Sequence, residues 1–209
     1  MTGQENLIYA GTPLDQARAA AVLVHGRGAT ADSMLPLVDH LQVEGLAFIA
    51  PQAPGSTWYP YTFLAPVEQN EPYLSNALNT LSGLFDQLEQ AGIPPERVFL
   101  IGFSQGACLS LEFAARNPRR YGGIGGLSGG LIGPPGQLRS YTGSLNGTPV
   151  FLGCSDPDPH IPRVRVLETA QILENMQAEV VTRIYDNLGH TINEDELHHL
   201  QQMIGSLQV

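Results

Sequence analysis

The sequence predicts an α/β protein with a mostly parallel central sheet and helices on both faces. Three observations carry this. Short, near-continuous apolar runs recur along the 209 residues, as expected for strands covered on both faces. Longer segments between them repeat apolar residues at helical spacing. Strand and helix patterns alternate, sometimes through a glycine turn, which is how a parallel sheet is wound.

The strands are taken in chain order. "AAAVLVHG" (19–26), "LAFIAPQ" (46–52), "VFLIGF" (98–103), "PVFLGCS" (149–155) and "EVVTRIYD" (179–186) read as strands, and the glycine-rich "GGIGGLSG" (122–129) as a weaker one. An antiparallel hairpin from "NLIYAGTPL" is expected ahead of them.

Helices are expected over "TADSMLPLVDHLQVEG", with Met34, Leu37, Val38 and Leu41 on one face, and over "LSNALNTLSGLFDQLEQAG". The latter repeats Leu74, Leu78, Leu81, Leu84 and Leu88 and stops at Gly92 with Pro94 beyond, a helix-stop pattern. "QGACLSLEFAARNP", "PRVRVLETAQILENMQA" and "NEDELHHLQQMIGSLQ" complete the set. The last opens with Asn193 and carries Glu196 three residues on, the spacing of a capping box.

Composition narrows the functional classes. The net charge is −10 from 20 acidic and 10 basic residues, which opposes nucleic acid and anionic lipid as partners. The 43% hydrophobic content is that of a globular chain. The length suits one domain, residues 1–209, with no linker or repeat to divide it. Neither Cys108 nor Cys154 has a metal-site or redox spacing, so buried thiols are expected rather than a disulfide. No leader or long apolar segment is visible, and the expected location is the cytoplasm. "NGT" at Asn146 reads as a turn.

Ser104 stands between Gly102 and Gly106 in "GFSQG", at a strand-to-helix junction. A sharp turn there projects the hydroxyl out of the sheet, and the glycines make room for it. The helix that follows offers free N–H groups and a positive dipole end to an oxyanion. A serine needs a base to take its proton, and the base needs an orienting carboxylate.

In the α/β-hydrolase arrangement these follow the serine as acid, then histidine. "FLGCSDPDPHIP" offers Asp156 and Asp158 after one strand, and "DNLGHTI" offers His190 after the last. The residues alone leave the two aspartates open. His160 lies beside them, at the surface or near the substrate. "LVHGRGAT" repeats the strand–turn–helix pattern early in the chain. Its Arg27 N–H and the Gln105 N–H after the nucleophile are the expected oxyanion donors; the alternative is a plain strand–helix turn that needs glycine, with His25 as its hydrogen-bonding brace.

Together "LVHGRG", "GFSQGA", "DPDPHIP" and "GHTI" resemble the phospholipase/carboxylesterase family of small α/β-hydrolases, which includes acyl-protein thioesterases and bacterial carboxylesterases. The resemblance runs from about residue 20 to the C-terminus. It implies an α/β-hydrolase fold, Ser104 as nucleophile, Asp158 as acid, His190 as base, and Arg27 and Gln105 at the oxyanion hole. It also implies a small-molecule ester substrate, an acyl-enzyme, and neither cofactor nor metal.

The family's thioesterases generally carry leucine at the Arg27 position. An arginine there either favours a polar or anionic substrate or turns outward to a surface carboxylate. The aromatic stretch "PQAPGSTWYPYTFLAP" (51–66) lies where the family builds a pocket wall. Trp58 and Tyr59 are the expected substrate contacts, packing for stability being the alternative. The reading is a serine carboxylesterase. Its rivals are a thioesterase or lysophospholipase, and a non-catalytic binding module on the same fold.

Overall fold

The computed structural model describes residues 7–41, 43–137 and 140–206. The strands are β1 (Leu7–Gly11), β2 (Ala19–Val24), β3 (Leu46–Pro51), β4 (Val98–Phe103), β5 (Gly123–Leu127), β6 (Pro149–Asp156) and β7 (Glu179–Asp186). The α-helices are α1 (Pro36–Leu41), α2 (Tyr73–Gln90), α3 (Gln105–Arg116), α4 (Arg163–Asn175) and α5 (Glu194–Gly205). One sheet runs in the order β1-β3-β2-β4-β5-β6-β7. Every neighbouring pair is parallel except β1–β3. This is the α/β-hydrolase fold.

The strand alternation splits the core in two. Val22, Leu100 and Ile124 pack with α2, α3 and α4, represented by Leu81, Leu111 and Val166. Leu23, Phe99 and Ile101 pack with α1 and α5, through Leu37, Leu200 and Met203. β2, β3 and β4 are buried on both faces, which explains their unbroken apolar runs. β5 is rich in glycine because α5 lies close over it: a Cβ at Gly125 would stand 2.6 Å from Leu200 Cδ2. The low strand propensity there is the condition for tight helix–sheet packing.

Two expectations are corrected. The first strand is antiparallel but forms no hairpin with the next one; it pairs with β3, from Leu7↔Pro51 to Gly11↔Ala47. β2 already has β3 and β4 on its two edges, so β1 cannot pair with it and takes the outer edge of β3 instead. The turn 12–18 reaches past that strand, with Thr12 N–H and Arg18 N–H donating to Leu46 and Gly45 carbonyls.

The first helix is also broken, into a 3₁₀ turn (Ala31–Met34) and α1, which begins at Pro36. Proline lacks the N–H that would continue the earlier turn but fits the first position of a new helix.

The expected helix ends are present. At the end of α2, Ile93 N–H reaches Leu88 O (2.9 Å) and Gly92 N–H reaches Glu89 O (3.0 Å), with Gly92 at φ 85°. That is a Schellman closure. At the start of α5 the box closes both ways, Glu196 N–H to Asn193 Oδ1 and Asn193 N–H to Glu196 Oε2, each 2.9 Å. Asn146 sits in a turn at φ 49°, and both cysteines are buried and free.

The long connection from β5 to β6 is held by buried charges. Glu112 on α3 accepts from Ile132 N–H and Tyr141 OH, and Arg165 on α4 donates to the Leu131 and Gly133 carbonyls. Each charge therefore has partners in place of water.

Candidate active site

β4 ends at Phe103 and α3 begins at Gln105, so Ser104 alone makes the turn, at φ 55° and ψ −118°. A non-glycine residue is strained there. The strain is held by Ser104 N–H on Leu127 O (2.9 Å) and Cys108 N–H on Ser104 O (3.0 Å). The flanking glycines permit the elbow: a Cβ at Gly102 would collide with the Gly106 backbone, and one at Gly106 with the Val24 carbonyl.

His190 and Asp158 come from the loops after β7 and β6. Those loops are tied together by Gly189 N–H on Ser155 Oγ (2.9 Å) and Asn187 N–H on Asp156 O (3.1 Å). His190 Nε2 stands 2.9 Å from Ser104 Oγ, and Nδ1 stands 2.8 Å from Asp158 Oδ2. The Phe103 ring packs on His190 at 5.0 Å between centroids, and His160 meets it edge-on at 4.8 Å.

Asp158 Oδ1 accepts from His160 N–H (2.7 Å) and Ile161 N–H (2.9 Å). Burial pushes the Asp158 carboxyl up, but the His190 bond and the two backbone donors outweigh it and hold it below its ordinary value. An ionised carboxylate only accepts, so Nδ1 carries the proton and Nε2 is free to accept from the Ser104 hydroxyl. The neighbouring Asp156 pairs instead with Arg163 Nη1 at 3.2 Å, with two-fifths of its side chain exposed. The structure thus brings Ser104, His190 and Asp158 into one hydrogen-bonded chain and leaves Asp156 outside it.

The expected oxyanion donors flank Ser104. Gln105 opens α3, so its N–H precedes the first intrahelical bond. Gly26 lies against the elbow, an added Cβ standing 3.3 Å from Ser104 Cβ. Gly26 C=O and Arg27 N–H share one planar peptide. His25 fixes that plane, its Nδ1 on Gly26 O at 2.8 Å while Nε2 accepts from Ala53 N–H at 3.0 Å. The two bonds require the neutral Nδ1–H ring. Burial, opposed by the Gly26 bond, lowers the pKa of His25.

The side chains of Arg27 and Gln105 do more than their sequence positions announced. Arg27 neither turns away to a carboxylate nor stands free in the cavity. Its Nη1 donates to Thr57 Oγ1 (3.1 Å) and Pro60 O (2.8 Å), and its Nη2 to Tyr61 O (2.6 Å). Gln105 Oε1 accepts from Trp58 N–H (2.9 Å), and its Nε2 donates to Tyr59 O (2.8 Å). The two side chains clamp the aromatic loop against the elbow. The only hint in the sequence was a polar residue at a buried helix start.

A cavity of about 690 Å³ opens over Ser104, lined by Arg27, Tyr59, Tyr61, Phe63, Cys108 and Ile161 together with His190. Tyr59 borders this cavity, although its side chain is almost wholly buried. Trp58 is buried too but does not border the cavity, and its indole N–H donates to the His25 carbonyl at 2.8 Å. Its place is beneath the oxyanion loop because the indole donor needs a partner once buried.

Comparison with known proteins agrees with this architecture. A family model described as phospholipase/carboxylesterase matches residues 10–208. Acyl-protein thioesterase 1 of Saccharomyces cerevisiae is 29% identical over 216 residues, covering 91% of this chain and 93% of that protein. A solved structure of a phospholipase/carboxylesterase from Dyadobacter fermentans superposes with a TM-score of 0.91 at 43% identity, covering 98% of each chain. The Bacillus cereus carboxylesterase shares the fold, with a TM-score of 0.74 at 17% identity over 97% of this chain and 95% of that one.

Proposed function

The chain belongs to the phospholipase/carboxylesterase family, and we propose that it is a serine hydrolase of carboxylic esters. The observation that carries the proposal is the unbroken chain from Ser104 through His190 to Asp158 at a strained strand–helix elbow. His190 Nε2 takes the Ser104 proton as Oγ attacks the acyl carbon. The oxyanion that develops is received by the N–H groups of Arg27 and Gln105. Asp158, shielded from solvent, holds the Nδ1–H tautomer and stabilises the imidazolium. His190 then donates its new proton to the departing oxygen. In the second half, His190 takes a proton from water as its oxygen attacks the acyl carbon, then returns that proton to Ser104 Oγ as the bond from Oγ to that carbon breaks and the acid departs.

The substrate is a small ester whose acyl part fits the aromatic-lined cavity. The Arg27 guanidinium is engaged by the loop, so it shapes that wall rather than recruiting an anion. The buried free thiols suit a cytoplasmic setting. Among the described residues no helix is long and apolar enough to cross a membrane.

The test is hydrolysis of p-nitrophenyl esters from acetate to palmitate by wild type and Ser104→Ala. Turnover that the substitution reduces by about 10⁶-fold is expected. Equal rates for the two proteins would sink the proposal. A thioester preference is the second reading, favoured by the similarity to the yeast thioesterase. Matched oxygen and thio esters separate the two.

A further inference from the structure

A second groove, of about 450 Å³, shares His190 with the first. Met34, Leu37, Phe103, Ile192 and Leu197 line it together with His190. It lies between α1 and α5, and Phe103 and His190 stand in the walls of both grooves. Resting on the hydrolase reading above, we propose that this groove seats the leaving alcohol of the ester, and that the alcohol is apolar.

The chemistry separates the two halves of the substrate. In acylation the bond from Ser104 Oγ to the acyl carbon forms, the bond from that carbon to the alcohol oxygen breaks, and the His190 proton goes to that oxygen. The acyl half stays bonded to Ser104, so it occupies the cavity that Ser104 lines. The alcohol half is never bonded to Ser104 but must touch His190 Nε2. The α1–α5 groove is lined by His190 and not by Ser104.

The lining then sets the class. Met34 and Leu37 are buried, while Ile192 and Leu197 are half-buried. The exposed Ser33 and His40 also border the groove. An aryl or branched alkyl group of an alcohol would cover these apolar side chains and exclude water from them. By microscopic reversibility the same groove receives an acceptor alcohol when the acyl-enzyme is attacked by one in place of water.

The experiment compares phenyl acetate with 2-naphthyl acetate, whose alcohols have similar acidity but different apolar area. Wild type should favour the naphthyl ester in kcat/KM. Leu197→Gln should cut that preference about tenfold while leaving the acyl-length profile and the decay of the acetyl-enzyme unmoved, since the alcohol has left by then. Tyr61→Ala, in the other cavity, should shift the acyl-length profile alone. A naphthyl preference untouched by Leu197→Gln, or an acyl-length profile that moves with it, would overturn the assignment.

Equilibrium titration of Ser104→Ala protein with 2-naphthol reads the groove without turnover. Saturable binding that Leu197→Gln weakens about tenfold is expected, and binding indifferent to that substitution, or none, would overturn the proposal. Intact binding in a protein whose wild type hydrolyses no ester would refute the hydrolase reading and the leaving-alcohol role with it, whereas Ser104-dependent ester turnover without naphthol binding would overturn the groove assignment alone.

Discussion

Asp156 and Asp158 are two residues apart in sequence and unlike in surroundings. One is in an exposed ion pair with Arg163 and the other under His190. Asp158→Asn is therefore expected to lower kcat on p-nitrophenyl butyrate by about 10⁴-fold, because an amide supports the wrong histidine tautomer. Asp156→Asn loses only a surface pair, worth about 0–1 kcal/mol, and kcat should stay within a few-fold of wild type. Reversal of that order in measured kcat would reassign the acid.

The folded-state depression of Asp158 also fixes a sign. Its contribution to stability is complete above the ordinary carboxylate value of about 3.9 and is lost as pH falls through its lower folded value.

Gln105→Leu keeps the backbone N–H but frees the aromatic loop. KM should rise several-fold or more while much of kcat survives, as steady-state kinetics would read. At this scale the sequence was legible where a role is local. The serine turn and the chain order of acid and base lie in short motifs. Between substrate contact and packing, Trp58 takes the packing role, set by a bond to His25, 33 residues away, which no local spacing encodes.

At the scale of elements, the capping box of α5 carries a cost. Glu196 caps its helix with Oε2, but its Oε1 is buried beside Gly153 with no hydrogen-bond partner among the described residues. Burial pushes its pKa up to about 7, with Asp195 adding to the rise and the Asn193 N–H opposing it. A carboxyl raised on folding binds more protons in the native state. The Glu196 contribution to stability is thus greatest below the unfolded value of about 4.3 and is lost as pH rises to about 7. Relative to Glu196→Gln, which stays neutral, wild type should lose thermal stability between about pH 5 and pH 7.5. Parallel melting curves whose difference does not change with pH would refute this.

The box itself was readable from Asn193 and Glu196, and the end of α2 from Gly92. The pairing of β1 was not, because an edge strand's partner depends on which sheet edges are already filled. The break at Pro36 was in plain view, but it was outweighed by an apolar spacing that runs on across it.

The molecule as a whole is organised by one sheet with a core on each face. We propose that residues 1–209 form a single domain, which should unfold in one transition with equal calorimetric and van't Hoff enthalpies. Two separated transitions would divide it. The strand–helix order made this architecture legible from the start, because buried parallel strands leave a continuous apolar trace. The walls of the two grooves were not legible, since they come from α1, α3, α5, the end of β4 and the loops after β2, β3, β6 and β7, which meet only in the folded chain.

The net charge of −10 should keep the protein off vesicles rich in phosphatidylserine at physiological salt, as co-sedimentation would show.

The most direct measurement is reaction with a fluorophosphonate, followed by intact mass and peptide mapping. A single adduct on Ser104, absent in Ser104→Ala and slowed by orders of magnitude in Asp158→Asn, is expected of a serine activated through His190. A folded wild type that takes up no label, or that carries it at another residue, would overturn the assignment of Ser104 as the nucleophile.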